Sequence, residues 1–243
     1  MSVYRNRPVV GLVDQSANAP SPRYDWYGNA HGLPVANWRN ALADEGSYFT
    51  GINPTLATTI AGHVAPALAD NATTPTKALL HIYNSGSLRL TMDYLKLAVI
   101  VVNASSTSTN FVAFVDNLGA TGRTSGGSAI TPTNVRSDNP TTTGATVFFG
   151  AVVTAAASVV QRIAAWTVRP VIAVAEDQYT FRFGGDPSLP AYTTHIGTAV
   201  SNLLVQMPPA VIAPGGNFYF CEANPSGATT AATYEFEFGY AER

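Results

Sequence analysis

The residues able to do chemistry in this chain are few and far apart. Its four histidines are His31, His63, His81 and His195. None of them are paired at i, i+2 or i, i+4, the spacings that set two imidazoles on one face for a metal. His81 alternates with Leu80 and Ile82 in KALLHIYN, so on a strand it points away from their face. The single cysteine, Cys221, lies in NFYFCEA with no histidine partner suggested. It reads as a small core hydrophobe rather than a nucleophile, and one cysteine excludes an intrachain disulfide. Ser125 sits in GRTSGGS without the strand, elbow and helix that a nucleophilic serine needs. DNLGATG and AEDQY offer oxygens for a calcium turn but lack the ligand spacing of an EF-hand. Glu235 and Glu237, two apart on one strand face, look like a catalytic or metal pair, but a solvated strand face is the commoner case. GxxxxGK[ST], GxGxxG, GxSxG and HExxH are all absent. The expectation is no catalytic residue, no cofactor and no metal.

The densest chemistry outside these is aromatic. RYDWYGNAHG places Tyr24, Asp25, Trp26, Tyr27 and Asn29 together. Rings beside Asp and Asn suit a sugar platform; clustered rings in an extended arm also suit anchoring in a partner's groove. The second reading names Tyr24, Trp26, Tyr27 and Trp38 as partner-binding anchors.

Elements must hold these residues, and composition says what kind. Of 243 residues, 46% are hydrophobic, enough for a sizeable core. Only 12% are charged, about half the usual share. A charge-poor surface suits a protein packed against other subunits, where each buried charge would need a partner. A secreted or merely Thr-rich domain is the other reading. The net charge is −2 and the pI about 6.0. There is no basic run beyond Arg5 and Arg7, so nucleic acid is not an expected partner. The opening MSVYRNRPVVGLV lacks the apolar run of a signal peptide. The apolar stretches LKLAVIVV and VFFGAVVTAAASVV fall short of the ~20 residues of a membrane helix. A soluble protein made in the cytoplasm, with no membrane partner, is expected.

Along the chain, residues 1–75 lack a sustained period. They divide into a short β-like run at 8–13, a Pro/Gly/Asn-rich stretch, a short helix over 34–44 ended by Gly46, and an Ala/Thr-rich segment broken by prolines. An extended arm lying on a neighbour and a long ordered loop both fit. Residues 76–243 read as β throughout. KALLHIYN is a strand and NSGS a turn. LRLTMDYLKLAVIVV is too long for one regular strand, which predicts a bend or bulge near Asp93. FVAFVDN, ATVFFGAVV, SVVQRIAAWTV, VIAVA, QYTFRFG, AVSNLLVQM, NFYFCEA and TYEFEFGY supply further strands. Residues 117–144, rich in Gly, Ser, Thr and Pro, read as a long loop. IAPGGNFYF is a tight corner with Gly215 or Gly216 at positive φ. In TYEFEFGY, Tyr234, Phe236, Phe238 and Tyr240 share the face that closes the core, which makes the last strand a structural one. The prediction is an all-β, antiparallel two-sheet sandwich, jelly-roll-like, with an extended N-terminal arm.

Two passages carry a resemblance: PPAVIAPGGNFYF leading into TYEFEFGYAER, on a strand-rich chain laden with Thr, Ser and Ala. They resemble head-associated virion proteins of tailed bacteriophages: minor capsid, cement or decoration proteins with jelly-roll domains. The likeness covers mainly the last third of the chain and transfers no functional residue. It implies a non-enzymatic structural role in the virion, often as a homotrimer, with the major capsid protein and copies of itself as partners. A carbohydrate- or receptor-binding sandwich of a phage tail or fibre is the alternative. A long helix of the kind found in the major shell protein is not evident.

Overall fold

A computed structural model describes residues 23–24, 30–31, 38–53, 59–61, 77–101, 109–138, 142–153, 161–168, 177–184, 193–194, 202–223 and 232–243. In chain order its elements are β1 (Arg23–Tyr24), β2 (Ala30–His31), α1 (Trp38–Glu45), β3 (Tyr48–Ile52), β4 (Ile60–Ala61), β5 (Lys77–Asn84), β6 (Leu90–Val101), β7 (Thr109–Asp116), a 3-10 turn (Gly119–Gly122), β8 (Arg123–Ile130), β9 (Thr133–Asn134), β10 (Ala145–Val153), β11 (Gln161–Val168), β12 (Gln178–Phe183), β13 (Thr193–Thr194), β14 (Asn202–Met207), β15 (Val211–Ile212), β16 (Asn217–Ala223) and β17 (Thr233–Glu242).

Met1–Ala41 and Leu42–Arg243 are separate compact units. In the first, β1 and β2 pair antiparallel, Arg23 opposite His31. The second is a two-sheet sandwich. One sheet runs β11-β7-β16-β5-β10-β8; the other runs β13-β14-β12-β6-β17-β3-β9, with β15 on β6 and β4 on β17. Among the described residues every pairing is antiparallel except β12 with β14, which is parallel. The chain passes from one sheet to the other between β5 and β6, again to β7, and between β16 and β17, so sequence neighbours face each other across the core.

Strand periodicity explains which residues meet there. Leu80 and Ile82 of β5, Leu95, Leu97 and Val99 of β6, and Tyr234, Phe236, Phe238 and Tyr240 of β17 are all buried in one continuous cluster. Their alternating neighbours Glu235 and Glu237 are only partly covered. Phe111 lies 5.0 Å from Phe181, and Phe181 4.7 Å from Phe220, in tilted pairs that join the two sheets. The aromatic face of the last strand closes the core as its spacing predicts.

The bend expected in the long strand is a bulge at Asp93. Gly239 pairs with Tyr94 but Tyr240 with Met92, so Asp93 has no opposite residue on β17. Asp93 is buried there and accepts a 2.6 Å bond from the Tyr48 hydroxyl. The corner before β16 turns on Gly215, with φ of 77°, a value glycine adopts without strain.

Two expectations on element placement are revised. The stretch 117–144 is not one loop: it holds the 3-10 turn, β8 and β9. RTSGGSAI has no apolar alternation because most of β8 is exposed on both faces; its backbone pairing to β10 makes it a strand. Tyr48–Ile52, inside the stretch read as irregular, is β3, pairing with β17 on one side and β9 on the other. Just before it, Leu42 of α1 packs with Tyr48 and Ala241 on the outer face of that sheet. Gly46 ends α1 with φ of 74°.

Both rims of the six-stranded sheet are irregular. On β8, Thr124 is skipped, since Val152 pairs with Ser125 and Val153 with Arg123. Gly126, Gly127 and, across on β10, Gly150 all have positive φ, at 66°, 78° and 66°. A Cβ on Gly127 would sit 2.8 Å from the Phe149 carbonyl oxygen. On β11, Ile163 is skipped, because Arg162 pairs with Phe114 and Ala164 with Ala113.

Candidate functional site

The anchors named from the sequence lie largely outside what is described. Tyr24 is in β1 and Trp38 begins α1, with their side chains not described; Trp26 and Tyr27, with Asp25 and Asn29, fall outside the described residues. His63 and His195 do too, and His31 is known only as a β2 position. Ser125 is exposed on β8, opposite Val152. Cys221 is buried, and burial pushes its thiol pKa well up, against thiolate chemistry. Glu237 accepts a 2.5 Å bond from the Tyr94 hydroxyl. Of the two carboxylates of AEDQY, Glu176 falls outside the described residues and Asp177 is buried just before β12. Among the described residues no group of three or more His, Cys, Asp or Glu could hold a metal ion.

Among the described residues, ionisable, amide and aromatic groups converge on the outer face of the six-stranded sheet. Strand register builds it. Phe114 lies opposite Tyr219, Tyr219 opposite His81, and His81 opposite Phe148. Side chains directly across a ladder share a face, so the four form a row running across β7, β16, β5 and β10. The His81 ring stacks on Tyr219 at 5.0 Å and on Phe148 at 6.3 Å. The Arg123 guanidinium caps the row, 3.7 Å from the Phe148 ring centre. Its Nε and Nη2 donate to the Gly126 carbonyl at 3.1 and 2.8 Å.

A polar chain crosses the row. His81 Nε2 and Asn217 Oδ1 are 2.9 Å apart. Asn217 Nδ2 donates to Asp116 Oδ1 at 2.8 Å and to the Gly119 carbonyl at 2.9 Å. Asp116 Oδ1 also accepts the Leu118 N–H at 3.0 Å. Because the Asn217 amide nitrogen is engaged by two acceptors, its oxygen faces His81. The imidazole must therefore donate from Nε2 and carry its lone pair on Nδ1. His81 is 1% exposed, and Nδ1 has no hydrogen-bond partner. The Tyr219 hydroxyl, within electrostatic reach of Asp116, makes no hydrogen bond of ordinary geometry. Burial lowers the His81 pKa below 6.5, opposed first by the Asn217 bond and then by Asp116, and aided by Arg123. Burial likewise raises that of Tyr219.

This arrangement braces rather than transfers protons, since an amide carbonyl cannot take the proton that His81 donates. It ties β5, β16, β7 and the 3-10 turn with one ring and one amide. Gly122 is needed for the fit, because any Cβ there would collide with the Tyr219 hydroxyl and the Asn217 amide. The sequence showed His81 pointing away from Leu80 and Ile82, as it does. Nothing in it marked Asn217, Asp116 or Arg123 as its neighbours, because they come from strands 136, 35 and 42 positions away, and register alone brings them together.

A second polar knot lies at the other sheet. Glu242 Oε1 accepts from the Thr143 hydroxyl and, at 3.0 Å, from the Gly144 N–H. The Tyr240 hydroxyl meets the same Thr143 oxygen at 2.5 Å. Next to it, Arg89 and Arg243 exchange backbone bonds at 2.7 and 2.8 Å. At one end of the core, the Tyr234 hydroxyl donates to Glu222 at 2.7 Å.

Compared with protein-family models, with curated proteins and with solved structures, the chain matches none of them.

Proposed function

We propose that this chain is a non-enzymatic structural protein of a virion, a cement, decoration or minor capsid subunit that stabilises a tailed-phage head by packing against the shell and copies of itself. The observation that carries the reading is the pairing of a charge-poor composition, 12% Asp, Glu, Lys and Arg, with a sandwich whose buried polar groups serve as braces. His81, Asn217 and Asp116 hold strands together; so do Glu242 with Thr143 and Tyr48 with Asp93. A surface with few charges loses little solvation when covered, which suits extensive contact with neighbours. Many such contacts, repeated over a shell, sum to firm adhesion by multivalency. The jelly-roll connectivity and the homotrimer implied by the resemblance belong to this proposal, as do Tyr24, Trp26, Tyr27 and Trp38 as anchors on the neighbour.

The test is depletion of the protein from its source particle. Depleted particles are expected to lose heat and osmotic resistance and to regain both when the purified protein is added back. Unchanged resistance would overturn the reading, and saturable sugar binding by the isolated protein would move it to the carbohydrate-binding alternative.

A further inference from the structure

We propose that His81 is an acid-operated latch, whose protonation releases residues 116–123 from the outer face of the six-stranded sheet. The ring is clamped between Tyr219 and Phe148 and is 1% exposed. In its neutral form its Nε2–H fixes the Asn217 amide, which holds Asp116 and the Gly119 carbonyl. One imidazole thus helps hold the turn between β7 and β8, beside the backbone bond from the Gly119 N–H to the Gly215 carbonyl at 3.0 Å.

A second proton must go to Nδ1, which is buried with no acceptor among the described residues. The groups that face it decide the outcome. From β7, Asp116 favours the cation; from β8, Arg123 opposes it. β16 contributes Asn217 and Tyr219, whose hydroxyl stays protonated, together with the Cys221 thiol. β10 contributes only the uncharged Phe148, and the 3-10 turn only the Gly119 carbonyl. Loss of hydration outweighs the attractions, so the folded state resists the proton. The relief is for the ring to leave its slot. Asn217 Oδ1 then loses its donor, the amide is free to turn, and the Asp116 and Gly119 bonds go with it.

The sign follows from linkage. A histidine whose folded pKa lies below its unfolded value leaves the unfolded or opened chain holding more protons between the two. Stability is therefore full above about pH 6.5. It falls as pH drops through that value towards the folded pKa, and the loss is complete below it.

The experiment uses the full chain. Long-range proton–nitrogen NMR of the imidazoles is expected to show the Nε2–H tautomer and a His81 midpoint below 6.5. Amide exchange, corrected for its intrinsic pH dependence, is compared at pH 7.5 and 5. Residues 116–123 are expected to gain roughly tenfold for each unit by which the pKa is displaced. His81→Gln keeps an N–H donor without a titrating ring and is expected to abolish the response. A midpoint at or above 6.5, equal exchange at both pH values, or an acid response that survives in His81→Gln would each overturn the latch. Should the variant fail to fold, the wild-type titration and exchange decide alone.

Discussion

Gly51 shows how a single residue is dictated by its neighbour across the sheet. It pairs with Phe238 of β17, and the Phe238 ring lies where any side chain on Gly51 would be. Gly51→Ala is therefore expected to destabilise the sandwich by about 1–3 kcal/mol through overpacking, read as a lower urea midpoint with an unchanged slope. The glycine itself was visible in the sequence and its reason was not, because a period-two pattern tells which face a residue takes but not which ring lies opposite. The same limit applies to the brace around His81. Its outward direction was legible from Leu80 and Ile82; its partners depend on register with strands 35 to 136 positions away. The rings of Tyr234, Phe236, Phe238 and Tyr240 were the reverse case, since four aromatics at every second position can bury themselves in only one way.

At the scale of elements, the apolar strands were readable and the polar ones were not. β5, β10, β12, β16 and β17 carry their own hydrophobic signal, and even the bulge at Asp93 could be placed, because a run as long as LRLTMDYLKLAVIVV with a carboxylate inside it does not make one regular strand. β8 and β3 escaped for different reasons: one is a Gly/Ser rim with no buried face, and the other is five residues long in surroundings that look irregular. The parallel partnership of β12 with β14 is likewise set by topology. The knot at Glu242 gives an element-scale expectation. Glu242→Ala leaves the Gly144 N–H and the Thr143 hydroxyl without their acceptor. It should cost about 1–3 kcal/mol, with faster amide exchange at Gly144 than in the core of β10. Equal protection in wild type and variant would show that the knot contributes nothing.

For the molecule as a whole, the boundary that matters experimentally is between Ala41 and Leu42. Leu42 is buried against Tyr48 and Ala241. A cut that removes Met1–Ala41 is therefore expected to leave a cooperatively unfolding sandwich, whereas a cut that also takes residues 42–52 should remove β3 and lower the thermal midpoint sharply. Under the proposed function, the shorter cut yields a folded body that no longer joins the particle; retained incorporation would refute a role for Tyr24, Trp26, Tyr27 and Trp38. The sandwich class was legible in the chain because its strand signals are strong and numerous, while its partners were not, because a surface poor in charge names nothing that would pack against it.

The irregular rims of the six-stranded sheet bear on how such a molecule behaves when crowded. Stacking strand upon strand without limit requires a straight row of outward-pointing donors and acceptors at constant spacing. Along β8 that row is interrupted at Thr124 and kinked at Gly126 and Gly127, with Arg123 already occupying one carbonyl; along β11 it jumps at Ile163. A newcomer approaching either margin finds no template to copy, so copies held at very high local density are steered away from runaway fibre growth and towards contacts that end.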